Sequence, residues 1–176
     1  MRLRTIRWIL WGITGAVSLS LALAIFWRDD RFGTEPSRAT DAFRADFELT
    51  DHQGMARTDE DFAGRWLLVF FGFANCPDVC PMTLADISGW LDDLGAEAER
   101  MNVVFITVDP ERDTVSAMKE YVGYFHPALR GWTGSPDEIS RAAEGFRVIY
   151  EKVPVEGGYT MNHTAGVFLF NAGGRF

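Results

Sequence analysis

"WLLVFFGFANCPDVCPMTL", Trp66 to Leu84, joins an unbroken apolar run to both cysteines of the chain, Cys76 and Cys80, and then to a helical pattern. The run from Trp66 to Phe73 has strand length and no polar alternation, which reads as a strand buried on both faces. From Pro81 to Arg100, Leu84, Ile87, Leu91 and Leu94 recur at helical spacing, so an amphipathic helix is expected to start at the cysteines. Pro77 and Pro81 suit its first turn, where their missing N–H groups would be unpaired anyway. A Cys-x3-Cys pair at i and i+4 is then expected on one helical face, its sulfurs able to converge on an ion or to oxidise to a disulfide. The positive end of the helix is expected to favour thiolate over thiol.

The flanking segments extend this pattern. "FELTDHQGMART", Phe47 to Thr58, reads as a small hairpin turning at His52-Gln53-Gly54. "NVVFITVD", Asn102 to Asp109, reads as a second buried strand, and Asp113-Thr114 as the cap of a helix reaching Tyr124. "LRGWTG", Leu129 to Gly134, is a short third strand, and Ser135-Pro136 followed by Glu138 opens another helix. Then come strand-like "FRVIYEKVPV", Phe146 to Val155, a Gly157-Gly158 turn, and the strand "HTAGVFLF", His163 to Phe170. Strands alternating with helices and ending in a hairpin predict an α/β domain with a mixed sheet and helices on both faces. "FLFNAGGRF", Phe168 to Phe176, holds a strand, a turn over Asn171 to Gly174 and two residues of a returning strand, which predicts an exposed edge and a domain cut short at its C-terminal end.

The 176 residues, 47% of them hydrophobic, allow one ordinary core, and a net charge of -8 argues against a nucleic-acid surface. From Trp8 to Trp27 the chain has twenty residues without a charge, enough for one transmembrane helix. Trp8, Trp11 and Trp27 sit near its ends, and Arg2, Arg4 and Arg7 precede it, which places the N-terminus in the cytoplasm and exports the domain. Ala22-Leu23-Ala24 allows a cleaved signal peptide, but Ile25-Phe26-Trp27 continues the apolar run and favours the uncleaved anchor. The expected organisation is an anchor with flanks over 1–31, a polar tether over 32–45, and one domain over 46–176.

Two cysteines in an exported domain ordinarily mean a structural disulfide. One closing a loop of only about five residues removes little unfolded-state entropy, which turns the reading toward chemistry. Two sulfurs are too few for a closed zinc site, but with one or two further ligands they suit copper, above all Cu(I). The third ligand would be His52, His126 or His163. His52 falls in a polar turn and reads as surface, His126 follows a helix whose negative end it would complement, and His163 opens the last strand. Met82 and Met161 flank these positions and ordinarily fill cores. The acid-rich "DPERD", Asp109 to Asp113, is accounted for by a strand end and a helix cap.

"LLVFFGFANCPDVCPMTL", "VFITVDPERDT", "GWTGSPDEI" and "YTMNHTAGVFLF" together resemble the successive signatures of the Sco (SenC) family of copper-binding proteins, in order and over about residues 46 to 176. The resemblance implies a thioredoxin-like fold in which Cys76, Cys80 and His163 bind one copper ion, Cu(I) or Cu(II). It implies a metallochaperone tethered to the inner membrane, facing the periplasm, that serves the dinuclear copper site in subunit II of cytochrome c oxidase and takes its metal from a periplasmic copper donor. Family members commonly carry Asp immediately before the histidine where this chain has Asn162, so the likeness extends to Cu(I) more fully than to Cu(II). The family's C-terminal strand and helix have no counterpart. A thiol-disulfide oxidoreductase working through Cys76 and Cys80 is the alternative, although such enzymes usually carry Cys-x-x-Cys and a cis-proline that His163 lacks beside it. A peroxiredoxin-like peroxidase relying on Cys76 is a third.

Overall fold

The structure, a computed structural model, describes residues 47–176 apart from Ala63 and Arg175, together with Trp11, Ile13 and Ser20. Apart from those three positions, the expected anchor over Trp8–Trp27, its flanks and the tether over 32–45 lie outside the described residues. Among the described residues no helix is long and apolar enough to cross a membrane.

Strand β3 (Trp66–Gly72) is the buried run anticipated from the sequence, with Val69, Phe70 and Phe71 fully buried. It pairs in parallel with β4 (Met101–Thr107), which pairs in parallel with β5 (Leu129–Thr133). The antiparallel strand β8 (Val167–Phe170) closes the other side of β3, and the hairpin β1 (Glu48–Asp51) and β2 (Ala56–Thr58) adds antiparallel to β5. The result is a six-stranded mixed sheet in the order β2-β1-β5-β4-β3-β8. Strands β6 (Tyr150–Val155) and β7 (Gly158–His163) form a separate two-stranded sheet.

Parallel neighbours need crossovers, and helices α1 (Val79–Leu94) and α2 (Val115–Val122) supply them. On their face of the sheet, Phe70 stacks on Phe105, and the missing side chain of Gly131 admits Val122 and Met118 of α2. On the opposite face Phe146, at the end of α3 (Pro136–Gly145), packs its ring on Phe47, Phe71, Phe168 and Phe170. The mixed sheet with helices on both faces is therefore present. Ser135 and Glu138 start α3 with a reciprocal capping box, and the Thr114 hydroxyl accepts from the Ala117 amide at 3.3 Å to start α2.

Three boundaries differ from the sequence reading. The helix expected over Pro81 to Arg100 ends at Leu94, because Gly95 takes φ 53° and the chain continues as a 3-10 turn over Gly95–Arg100. The strand expected from Phe146 begins at Tyr150, because the amides of Phe146 and Val148 are spent closing the end of α3 on the carbonyls of Ala142 and Ala143. The strand expected over His163 to Phe170 is two strands: His163 ends β7, the Thr164 amide crosses to the Ile149 carbonyl at 2.9 Å, and β8 starts at Val167.

Gly72 fixes where α1 can begin. A Cβ built there would lie 2.8 Å from Cys80 Sγ and 2.8 Å from a ring carbon of Phe105, below any real contact distance. Gly72→Ala is therefore expected to destabilise the domain by about 1–3 kcal/mol through overpacking, read as a lower denaturant midpoint at unchanged m.

Candidate functional site

The cysteines straddle the start of α1 and do not share one helical face. Asp78 is the N-cap of α1, with non-helical φ of -143°, so Cys76 lies before the helix and only Cys80 is within its first turn. Pro81 occupies that turn as expected, whereas Pro77 stands outside it. The loop compensates for the lost helical register. The Cys76 amide donates to the Phe73 carbonyl at 3.2 Å, and the Cys80 amide donates to Cys76 Sγ at 3.4 Å, which keeps the two sulfurs together. Both cysteines are free thiols, Cys76 half-buried and Cys80 fully buried.

Burial also overturns the expectation of a ready thiolate at Cys80. Desolvation pushes its thiol up to about 12, and Cys76 and Asp113 push the same way, against one hydrogen bond from the Phe73 backbone.

His163 comes to this loop from the other sheet. It closes β7 opposite Tyr150, and its Nε2 lies 3.6 Å from Cys80 Sγ. Its ring stands edge-on between Phe70 and Phe73, with centroids 6.3 and 5.9 Å away. Nδ1 lies 3.0 Å from the Thr164 carbonyl, a pure acceptor, so Nδ1 carries the proton and Nε2 presents its lone pair to the sulfur. Histidines that bind metals are commonly oriented by such a bond on the far nitrogen. Among the described residues no three His, Cys, Asp or Glu side chains already form a metal cage. The arrangement is a sulfur–imidazole contact with a second sulfur held at the Cys80 amide.

The other candidates are placed elsewhere. His52 is half-buried rather than surface, its Nδ1 accepting from the Gly131 amide at 3.2 Å to fasten β1 to β5. His126 accepts from the Ala128 amide at 3.1 Å and lies 3.7 Å from the Asp92 carboxylate. Met161 is buried in the core and Met82 is exposed on α1. Asn162, next to His163, points to the opposite side of β7, as strand alternation requires, and donates to Glu151 at 3.1 Å.

The residues the sequence reading passed over lie in Asp109–Asp113. Asp113 is not the helix cap, a role Thr114 takes. Its buried carboxylate accepts from the Ala74 amide at 2.9 Å and the Thr107 hydroxyl at 2.6 Å, tying the cysteine loop to β4. Burial raises the Asp113 carboxyl despite those bonds. Asp109, equally buried, pairs with Arg112 and accepts from the Tyr159 hydroxyl at 2.8 Å. Acids clustered at the end of a buried strand were the available signal, and a carboxylate that satisfies buried amides is its physical content.

A family model described as SCO1/SenC matches residues 35–176. The mouse protein SCO2 homolog, mitochondrial, is 42% identical over 154 residues, covering 85% of this chain and 60% of its own length. The chain spans about half to three fifths of the length of the curated relatives it matches. The structure of Bradyrhizobium japonicum ScoI with copper bound superimposes with TM-score 0.72 and 47% identity, covering 74% of this chain and 83% of that one. BsSco, in which a disulfide switch is identified and which is described as a member of the Sco family of cytochrome c oxidase assembly proteins, superimposes with TM-score 0.58 and 27% identity, covering 73% and 77%. With a family match that takes in the whole sheet, both cysteines and the histidine brought to them, this chain belongs to the SCO1/SenC family.

Proposed function

We propose that this protein binds one copper ion through Cys76, Cys80 and His163 and passes it to the dinuclear copper site of cytochrome c oxidase subunit II. The observation that carries the reading is the contact of Cys80 Sγ with His163 Nε2 at 3.6 Å, across 83 residues of sequence, with Cys76 Sγ held at the Cys80 amide. Two soft sulfurs and one imidazole are a donor set suited to Cu(I), and three ligands leave a coordination position for an incoming donor or acceptor. A copper-bound relative and one described as an oxidase assembly protein support the same reading. The ion is cargo, supplied by a periplasmic copper donor, so binding must be reversible. The uncharged segment Trp8–Trp27 is proposed to anchor residues 1–31 in the inner membrane, with 32–45 as tether and the domain from 46 onward on the periplasmic side.

A second reading rests on the same pair. Both cysteines are free and held one amide apart, so they could also reduce a partner disulfide, closing one between themselves as two electrons pass to the partner. A disulfide switch in one relative favours keeping it.

Copper loading should give about one equivalent per chain, near zero in Cys76→Ala or Cys80→Ala, and at least about tenfold weaker retention in His163→Ala, measured by metal analysis and chelator competition. Full retention in His163→Ala would remove that residue from the ligand set. Catalytic reduction of a partner disulfide by metal-free protein, unimpaired in His163→Ala, would favour the second reading. Asn162 faces Glu151 directly across the ladder, so Asn162→Asp would set two carboxylates opposite each other. That change is expected to cost about 0.2–1 kcal/mol of stability while leaving copper stoichiometry unchanged, as thermal melts and metal analysis would read.

A further inference from the structure

His163 belongs to a sheet that shares no strand pairing with the sheet preceding the cysteines. The β8 ladder, which starts four residues on at Val167, and the rings of Phe70 and Phe73 bring the His163 end of β7 to the domain, and further contacts hold the length of β7 behind it. The described contacts converge on the five residues Asp109–Asp113, which leave β4 beside the cysteine loop.

One end of this loop holds the cysteines. The Asp113 carboxylate takes the Ala74 amide, two residues before Cys76, and the loop closes on itself as the amides of Arg112 and Asp113 donate to the Asp109 carbonyl at 3.2 and 2.9 Å. The other end holds the histidine strand. Tyr159 donates its hydroxyl to Asp109 at 2.8 Å, Arg112 Nη1 donates to the Tyr159 carbonyl at 3.0 Å, and the guanidinium lies over the Tyr159 ring, 3.9 Å from its centroid. Tyr159, Met161 and His163 project from the same side of β7, and Met161 is buried, so that side is the one docked on the domain. Tyr159 thus grips the strand on the face that carries the imidazole, roughly 13 Å along the chain from it.

The contacts are costly to exchange. Asp109 is 1% exposed, and Arg112 Nη2 is buried without a hydrogen-bond partner among the described residues, so the guanidinium depends on Asp109 and Tyr159 for compensation.

We infer that Asp109–Asp113 is a clasp that sets the separation between the cysteine loop and His163, with Arg112 and Tyr159 as positioning residues that act through the imidazole. The inference rests on the copper-site reading for its effect on metal, but not for its effect on geometry.

The test compares wild type, Tyr159→Phe and Arg112→Lys, each with His163 present and in a His163→Ala background, using Cu(I) against a chromophoric chelator. Each variant should weaken Cu(I) retention about tenfold when His163 is present, the lower end of what partners behind a metal ligand contribute, and add nothing further once His163 is gone. An equal loss in both backgrounds, or none in either, overturns the clasp. The metal-free protein gives a readout that does not depend on copper: nuclear Overhauser contact between the His163 ring and the Cys80 β-protons. Its loss in both variants while the domain stays folded, as its amide dispersion reads, supports the clasp, and its persistence overturns it. Wild type that retains no Cu(I) would sink the copper reading, while this second readout still decides the clasp.

Discussion

The parallel pairing of β3 with β4 governs everything at the site. Seven residues run in register from Trp66 beside Met101 to Gly72 beside Thr107, so both strands stop at the same edge of the sheet. The Val108 amide adds one more bond, to the Gly72 carbonyl at 2.7 Å, before the chains part. Two loops of opposite character therefore emerge side by side, one with the cysteines and one with the acids. Crevices at the carboxyl ends of parallel strands are where open α/β sheets place their chemistry. Here the sheet uses that edge to satisfy one loop's buried amide with the other loop's carboxylate.

That exchange explains how polar groups survive among phenylalanines. Asp113 is 2% exposed, and its compensation is the Ala74 amide and the Thr107 hydroxyl rather than a cation. Asp109 uses a cation, and the cation in turn uses an aromatic ring from the hairpin. Gly72 leaves open the space that the Cys80 sulfur and the Phe105 ring both border in the same crowded layer. Each accommodation removes slack from its neighbour, so the sulfur–imidazole contact is defined by packing as much as by either side chain.

How far this was legible in the sequence depended on range. Apolar β3 and β4, the Ser135–Glu138 capping box and the Thr114 start of α2 are local patterns, and local patterns predicted them. The cysteine loop was misread because a four-residue spacing implies a helical face only if the helix already covers both positions, and Asp78 starts it after Cys76. The strand containing His163 was misplaced because nothing local marks the break at Thr164–Gly166, where a bond to Ile149 turns the chain between two sheets. Asp113 looked like a cap because the residue that takes its bond, Ala74, is 39 positions away. The pairing of His163 with the cysteines entered through family resemblance, since no periodicity relates positions 83 residues apart.

The two sulfurs are not equivalent, and the asymmetry bears on both proposed roles. Cys80 is fully buried, close against Gly72 and the His163 imidazole, with its proton held tightly by burial. Cys76 sits before the helix and reaches solvent. Of the two sulfurs, Cys76 is the one that an arriving ion or partner sulfur would meet first, and Cys80 would join only as its proton leaves. For the proposed copper role, that order would make Cys76 the point of exchange and the Cys80–His163 pair the inner hold. For disulfide chemistry, it makes Cys76 the attacking sulfur and Cys80 the one that resolves the mixed disulfide. The same loop geometry serves either role because in each case the buried sulfur acts second, beside an imidazole nitrogen that is positioned to accept its proton.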